Sequence, residues 1–74
     1  MVVLKSNTVG LKLIADSCDG RVNVFVEDIK TGAGASMACC DFEGELSDGR
    51  RLTSREQVWL ASSEVESWLD KVGY

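Results

Sequence analysis

The chain has 74 residues, a length that allows one domain over residues 1–74 with a thin hydrophobic core. Its 45% of hydrophobic and 27% of charged residues are typical of a globular domain and exclude a disordered tail. Its net charge of −4, from 12 acidic and 8 basic residues, argues against direct binding to nucleic acid or to an anionic membrane, because Lys and Arg supply most of the affinity for phosphate.

The first half of the chain is predicted to form short antiparallel strands. Residues 1–5 are apolar enough for an edge strand, and residues 11–16 alternate in the manner of a half-buried strand. The dipeptide Asp19-Gly20 is a strong signal for a two-residue hairpin turn, and a second alternating segment follows over residues 22–27. These segments predict a β-hairpin with a further strand at its edge.

A two-residue turn fixes which residues face each other across this hairpin. On one face it pairs Ala15 with Val24 and Leu13 with Val26, and on the other it pairs Ile14 with Phe25 and Lys12 with Glu27. Apolar pairs and an opposite-charge pair both fit this register. Ile14 and Phe25 lie on the face away from the predicted helix, so we expect them to bind a partner, to pair two subunits or to be covered by the N-terminal segment.

The middle of the chain predicts a connection followed by another strand. Residues 28–36 (DIKTGAGAS) are Gly-rich and predict a poorly ordered connection, and residues 37–46 predict the strand. A three-residue loop at the next turn places Leu52 opposite Leu46 on the core side. The strand residues expected to face the core are Ala38, Cys40, Phe42 and Leu46, and those expected to face away are Cys39, Asp41, Glu43 and Glu45.

Residues 53–73 predict one amphipathic helix. Thr53 or Ser54 is the expected N-cap, with Glu56 or Gln57 as its capping-box partner. Apolar residues recur at helical spacing and form one stripe, which consists of Val58, Ala61, Val65, Trp68, Leu69 and Val72. The sequence therefore predicts an α+β fold: an antiparallel β-meander of four or five strands with one C-terminal amphipathic helix packed on one face, in two layers.

The sequence offers little support for catalysis, a metal or a cofactor. It contains no histidine, the usual acid–base group near neutral pH, and its three cysteines lack the paired spacing of zinc sites. We therefore expect no enzyme activity, no metal and no cofactor. Reduced cysteines, no apolar run of the roughly 20 residues that span a bilayer and no signal-peptide pattern favour a cytoplasmic protein that does not contact membranes.

Two features remain as candidate partner-binding surfaces. The first is the acidic segment DFEGELSD at residues 41–48. Arg50 and Arg51 follow this segment and are its expected ion partners. The second is Trp59, which lies roughly 140° from the centre of the apolar stripe on a helical wheel. There it is either an exposed interface residue among acids, or it folds back over the strand ends or is covered by residues 1–4. The acidic candidates on the strand are Asp41, Glu43 and Glu45, and those on the helix are Glu56, Glu66 and Asp70.

The hairpin segments VNVFVED and DFEGELSDG, followed by LTSREQVWLASSEVESWLDK, give the chain a layout that resembles small phage-encoded proteins. Among these are anti-CRISPR inhibitors, some of which occlude the nucleic-acid path of their target. The resemblance covers the whole chain in size, charge and layout, without a shared motif, so it assigns no functional residue. It implies a non-catalytic inhibitor that occupies a basic, nucleic-acid-binding surface of a partner protein.

A structural or assembly role is the alternative interpretation. Ile14 with Phe25, or Trp59, would then join two copies in a homodimer or dock the chain as a small subunit of a complex.

Overall fold

The structure is a computed structural model that describes residues 1–36 and 45–74. The described residues form a four-stranded antiparallel sheet in the order β1-β2-β3-β4, followed by two helices. The strands are β1 Val2–Ser6, β2 Leu11–Cys18, β3 Arg21–Asp28 and β4 Gly34–Ser36, and the helices are α1 Ser54–Leu60 and α2 Ser63–Val72. The predicted α+β class and the antiparallel meander are confirmed, whereas the predicted single helix is divided in two.

The central hairpin has the predicted register. Asp19 and Gly20 form the two-residue turn, with positive φ values of 53° and 78°. Both residues adopt this left-handed backbone, which matches the twist of the strands and which Asp and Gly tolerate well. The pairs are Ala15 with Val24, Leu13 with Val26, Ile14 with Phe25 and Lys12 with Glu27. The predicted edge strand is β1, whose Leu4 pairs with Leu13.

The segment between β3 and β4 is an ordered turn, so the prediction of a poorly ordered connection is wrong. The Asp28 carboxylate accepts hydrogen bonds from the backbone N–H groups of Lys30 at 2.8 Å and Thr31 at 3.2 Å. The Asp28 N–H donates to the carbonyl of Ala33 at 2.8 Å. At the start of β4, a Cβ on Gly34 would lie 2.8 Å from the Val26 carbonyl oxygen, so β3 and β4 approach closely only because this residue is glycine.

Most of the strand predicted over residues 37–46 lies outside the described residues, including Asp41 and Glu43. Its end forms a turn in which the Leu46 N–H donates to the Arg50 carbonyl at 2.8 Å. The loop has three residues, as predicted, but Leu46 lies opposite Arg50 rather than Leu52. The Asp48 carboxylate fixes this register by accepting the Arg50 N–H at 3.0 Å. Leu46 and Leu52 are nevertheless both buried.

The C-terminal segment breaks at Ala61 and Ser62. Thr53 caps α1 in the predicted capping box with Glu56, and Ser62 caps α2 by accepting the N–H of Val65. The break changes the phase of the two helical faces, and Val58 is 71% exposed as a result. The assignment of Val58 and Ala61 to the core stripe is therefore wrong, because that stripe assumed one uninterrupted helix.

The core lies between the helices and one face of the sheet. Alternate residues of β2 and β3 point into this core. The register of the hairpin therefore determines which residues of the two strands lie on the inner face. The buried hydrophobic residues are Leu11, Leu13, Ala15, Val24, Val26, Ala33, Leu46, Leu52, Trp59, Val65 and Trp68. Leu69 and Val72 pack against this cluster at its margin. The opposite face of the sheet carries Ile14 and Phe25.

Candidate protein-binding surfaces

Arg50 joins the end of β3 to the start of α1. Its Nη2 lies 2.6 Å from Asp28 Oδ2, and its two terminal nitrogens bind the carboxylate of Glu56 at 2.9 and 3.1 Å. Glu56 Oε1 also accepts the backbone N–H of Thr53 at 2.8 Å. Glu56 is only 6% exposed, so the carboxylate is part of the fold and is not displayed to a partner. The expectation that Glu56 contributes to an exposed acidic face is wrong.

Charge and hydrogen bonding perturb all three groups of this cluster. The hydrogen bonds from Arg50 lower the pKa of Glu56, and the backbone N–H of Lys30 is the main cause of the lowered pKa of Asp28. The pKa of Arg50 is raised, chiefly by its bond to Glu56. Among the described residues, the ion partners of Arg50 are Asp28 and Glu56, while Asp41 and Glu43 of the acidic segment lie outside the described residues.

Trp59 is buried and faces the core, with 9% of its surface exposed. Its Nε1–H donates to Glu64 Oε1 at 2.8 Å, a bond that connects α1 to α2. Its predicted exposure is wrong because the break at Ser62 lets α1 turn this face inward. A buried, hydrogen-bonded indole contributes to the stability of the helix pair and is not available as an interface anchor.

The outer face of α2 retains the expected acidic character. Glu66 and Asp70 are four residues apart on this helix, which places them as neighbours on one side. Both are exposed, and neither forms an ion pair with any described residue. Glu45 is exposed as well, and its backbone forms a β-bridge with that of Arg51 across the turn at residues 46–50. We call Glu66 and Asp70 the α2 acidic face.

The outer face of the sheet carries a short apolar row. Val3 pairs with Ile14 and Ile14 pairs with Phe25, so these three side chains lie side by side across β1, β2 and β3. Val3 is 50% and Phe25 is 40% exposed, while Ile14 between them is partly buried. The structure thus keeps Ile14 and Phe25 together on the outer face of the sheet, as the sequence predicts.

A groove of about 510 Å³ lies where the start of β1 meets the end of α2. Val2, Val22 and Val72 line its apolar part, and Asp16 and Lys71 lie at its border. Trp68 also lines it, and the buried Nε1–H of this residue has no hydrogen-bond partner among the described residues.

Sequence reasoning missed the Arg50 cluster and the inward orientation of Trp59. The capping box, which the sequence does predict, was the available signal for Glu56, because a side chain bound at a helix N-terminus cannot also project to a partner. Neither α1 nor α2 has the length and hydrophobicity that a membrane-spanning helix requires. Within residues 1–36 and 45–74, no group of three or more acidic or thiol side chains is placed to hold a metal ion.

Comparison of the chain with protein-family models, with curated proteins and with solved structures finds no match.

Proposed function

We propose that the chain is a small, non-catalytic protein-binding module that acts as an inhibitor by occupying a basic, nucleic-acid-binding surface of a partner protein. This is the mode of action implied by its resemblance to phage-encoded inhibitors of the anti-CRISPR type. We also propose a cytoplasmic location, which the free, exposed thiol of Cys18 supports because thiols persist in reducing compartments.

The α2 acidic face is the observation that supports this proposal most directly. Glu66 and Asp70 are exposed side by side on a helix whose other side is anchored in the core by Val65 and Trp68. A rigid helix holds the two carboxylates in place before binding, which reduces the entropy lost when a partner docks. Their charges have no counterion among the described residues, so cationic side chains of a partner would supply it.

Electrostatic complementarity determines what kind of partner fits. A net charge of −4 repels nucleic acid and attracts a surface rich in Lys and Arg. Such surfaces are typical of proteins that bind nucleic acid, because they neutralise the phosphate backbone. A compact acidic domain on such a surface excludes the nucleic acid by occupying its path.

Charge reversal on α2 tests the proposal. The partner is captured from host lysate on the immobilised chain, identified by mass spectrometry, purified and titrated by calorimetry with each variant. Glu66→Lys and Asp70→Lys are each expected to weaken binding about tenfold, because each replaces an attraction by a repulsion. Added salt is expected to weaken the binding of the unchanged chain as well.

The double variant Ser54→Lys/Val58→Lys is the matched control, since it makes the same change in net charge at two exposed positions on α1. It is expected to leave the affinity within about twofold of the original. Equal losses of affinity for all three variants would show that only the net charge matters, which contradicts a role for the α2 acidic face. An affinity that changes neither with added salt nor with the α2 substitutions would overturn the proposal.

A further inference from the structure

The outer edge of β1 is open. β1 is the first strand of the sheet order, and no other described segment pairs with its free edge. Met1, Val2 and Val3 are exposed here by 86%, 49% and 50%. Natural edge strands are normally protected by proline, bulges or several charges, and this one carries Lys5 alone. An apolar strand with unpaired backbone groups can accept another strand.

We propose that β1 pairs antiparallel with β1 of a second copy of this chain, with the two-fold axis at Val3, so that two four-stranded sheets join into one sheet of eight strands. In this register, Val3 lies opposite Val3 of the second copy, and Val2 lies opposite its Leu4. Both pairs are apolar, and directly opposed residues share a face of the sheet. The exposed hydrophobic residues of the edge are thereby covered.

Lys5 is the residue that selects the second copy as the occupant. Within its own sheet Lys5 lies opposite Lys12, whose ion partner is Glu27 at 3.9 Å. Lys5 therefore faces a like charge and has no acidic partner among the described residues. An occupant of the free edge that brings a carboxylate near Lys5 removes this imbalance.

The proposed register brings such a carboxylate. It places Lys5 opposite Met1 of the second copy, and the pairing of Val2 with Ala15 places Asp16 beside Met1 on the next strand. The Cα atoms of Lys5 and of the second copy's Asp16 are then two strand spacings apart, about 10 Å, which their side chains can span. Asp16 is exposed and forms no ion pair with any described residue, and the two-fold axis creates the contact twice.

The neighbouring register fits less well. A two-fold axis at Leu4 would place Lys5 opposite Val3 and Val2 opposite Ser6, so the lysine would lose its carboxylate and an apolar residue would face a hydroxyl. With the axis at Val3, the apolar row also continues through the interface, from Phe25 and Ile14 of one copy to Ile14 and Phe25 of the other. A chain of 74 residues has only a small hydrophobic core, so the apolar surface buried in the dimer adds stability that the single chain lacks.

Sedimentation equilibrium of matched variants tests the interface. The unchanged chain is expected to sediment as a dimer, and Val3→Lys as a monomer, because it opposes two ammonium groups at the axis. Phe25→Lys is the control: it introduces the same charge on the same exposed face, two strands from the axis, and is expected to remain dimeric. Circular dichroism verifies that both variants are folded.

Disulfide trapping tests the register, in a background with Cys18, Cys39 and Cys40 replaced by serine. Val3→Cys is expected to form a cross-linked dimer on mild oxidation, because directly opposed Cα atoms lie about 4.5–5.5 Å apart, within the range of a disulfide. Leu4→Cys is expected to form no disulfide and to run as a monomer on a denaturing gel without reducing agent. The two Cα atoms at position 4 would be about 8 Å apart, which is too far for a disulfide.

A charge exchange tests the polar contact. Lys5→Glu and Asp16→Lys are each expected to raise the dimer dissociation constant about tenfold, because the contact occurs twice, and the double variant is expected to restore it. A monomeric unchanged chain at millimolar concentration, a dimer that survives Val3→Lys but not Phe25→Lys, or cross-linking at Leu4 in place of Val3 would overturn the proposal. The dimer does not depend on the proposed function, because Glu66→Lys leaves the sedimentation mass unchanged if β1 is the interface.

Discussion

At the scale of single residues, Arg50 holds three distant parts of the chain together. Its guanidinium binds Asp28 at the end of β3 and Glu56 in α1, and its own backbone closes the turn that begins at Leu46. Removing one partner of such a cluster costs more than the pair itself contributes, because the remaining charge stays partly buried without its counterion.

Glu56→Gln is expected to lower the free energy of unfolding at pH 7 by about 2 kcal/mol, because it removes the charge while keeping an oxygen for the capping box. Urea unfolding measures this loss. Glu66→Gln, at an exposed position without an ion pair among the described residues, is the control and is expected to change the value by less than about 0.5 kcal/mol.

The loss of stability caused by Glu56→Gln depends on pH. The pKa of Glu56 in the folded chain lies below its ordinary value of 4.5, so the unfolded chain takes up the proton first on acidification. The stabilisation is complete above about pH 4.5 and is lost as the pH falls through the folded pKa. The difference between the original chain and Glu56→Gln is therefore expected to shrink below pH 4.5, and a constant difference down to pH 3 would contradict it.

At the scale of elements, the side chain of Ser62 stabilises the break between α1 and α2. Its hydroxyl oxygen accepts the Val65 N–H, and its hydroxyl donates to the carbonyl of Trp59, so this side chain serves both helix ends. Ser62→Ala is expected to lower the free energy of unfolding by about 1 kcal/mol, as the loss of an N-cap does. Urea unfolding measures this loss, and Ser63→Ala, at the exposed first residue of α2, is the control and should be neutral in the same experiment.

The elements differ in how far they could be predicted from the sequence. The hairpin and the capping box are local: Asp19-Gly20 with alternating neighbours decides the first, and Thr53 with Glu56 decides the second. The break at Ala61 and Ser62 is not local, because Ala, Ser and Ser are all compatible with a continuous helix. It is decided by the burial of Trp59 in the core, a tertiary contact that the helical periodicity of the sequence does not encode.

The candidate site was predictable to a similar degree. Glu66, Asp70, Ile14 and Phe25 occupy the exposed or outer-face positions that helical and strand periodicity assign to them. Glu56 and Trp59 do not, since both are drawn inward by contacts with residues that periodicity cannot identify as neighbours.

At the scale of the whole molecule, dimerisation through β1 would couple stability to concentration. Unfolding then separates two chains, so the thermal midpoint is expected to rise by about 5 °C for each tenfold rise in protein concentration, from an unfolding enthalpy of about 0.7 kcal/mol per residue. Calorimetry over a hundredfold concentration range measures this. Val3→Lys is expected to abolish the dependence and Phe25→Lys to keep it; a midpoint that stays constant for the unchanged chain contradicts the coupling.

The order of the strands in the sheet has a consequence for how the chain folds. Each strand of the meander pairs with its immediate neighbour in sequence, and β2 and β3 are joined by only two residues. Such pairs close short loops, which costs little entropy, and a hairpin of this kind forms within about 1–10 μs. We therefore expect the hairpin to be an early template, onto which the helices dock once Trp59 and Trp68 reach the sheet from the far end of the chain.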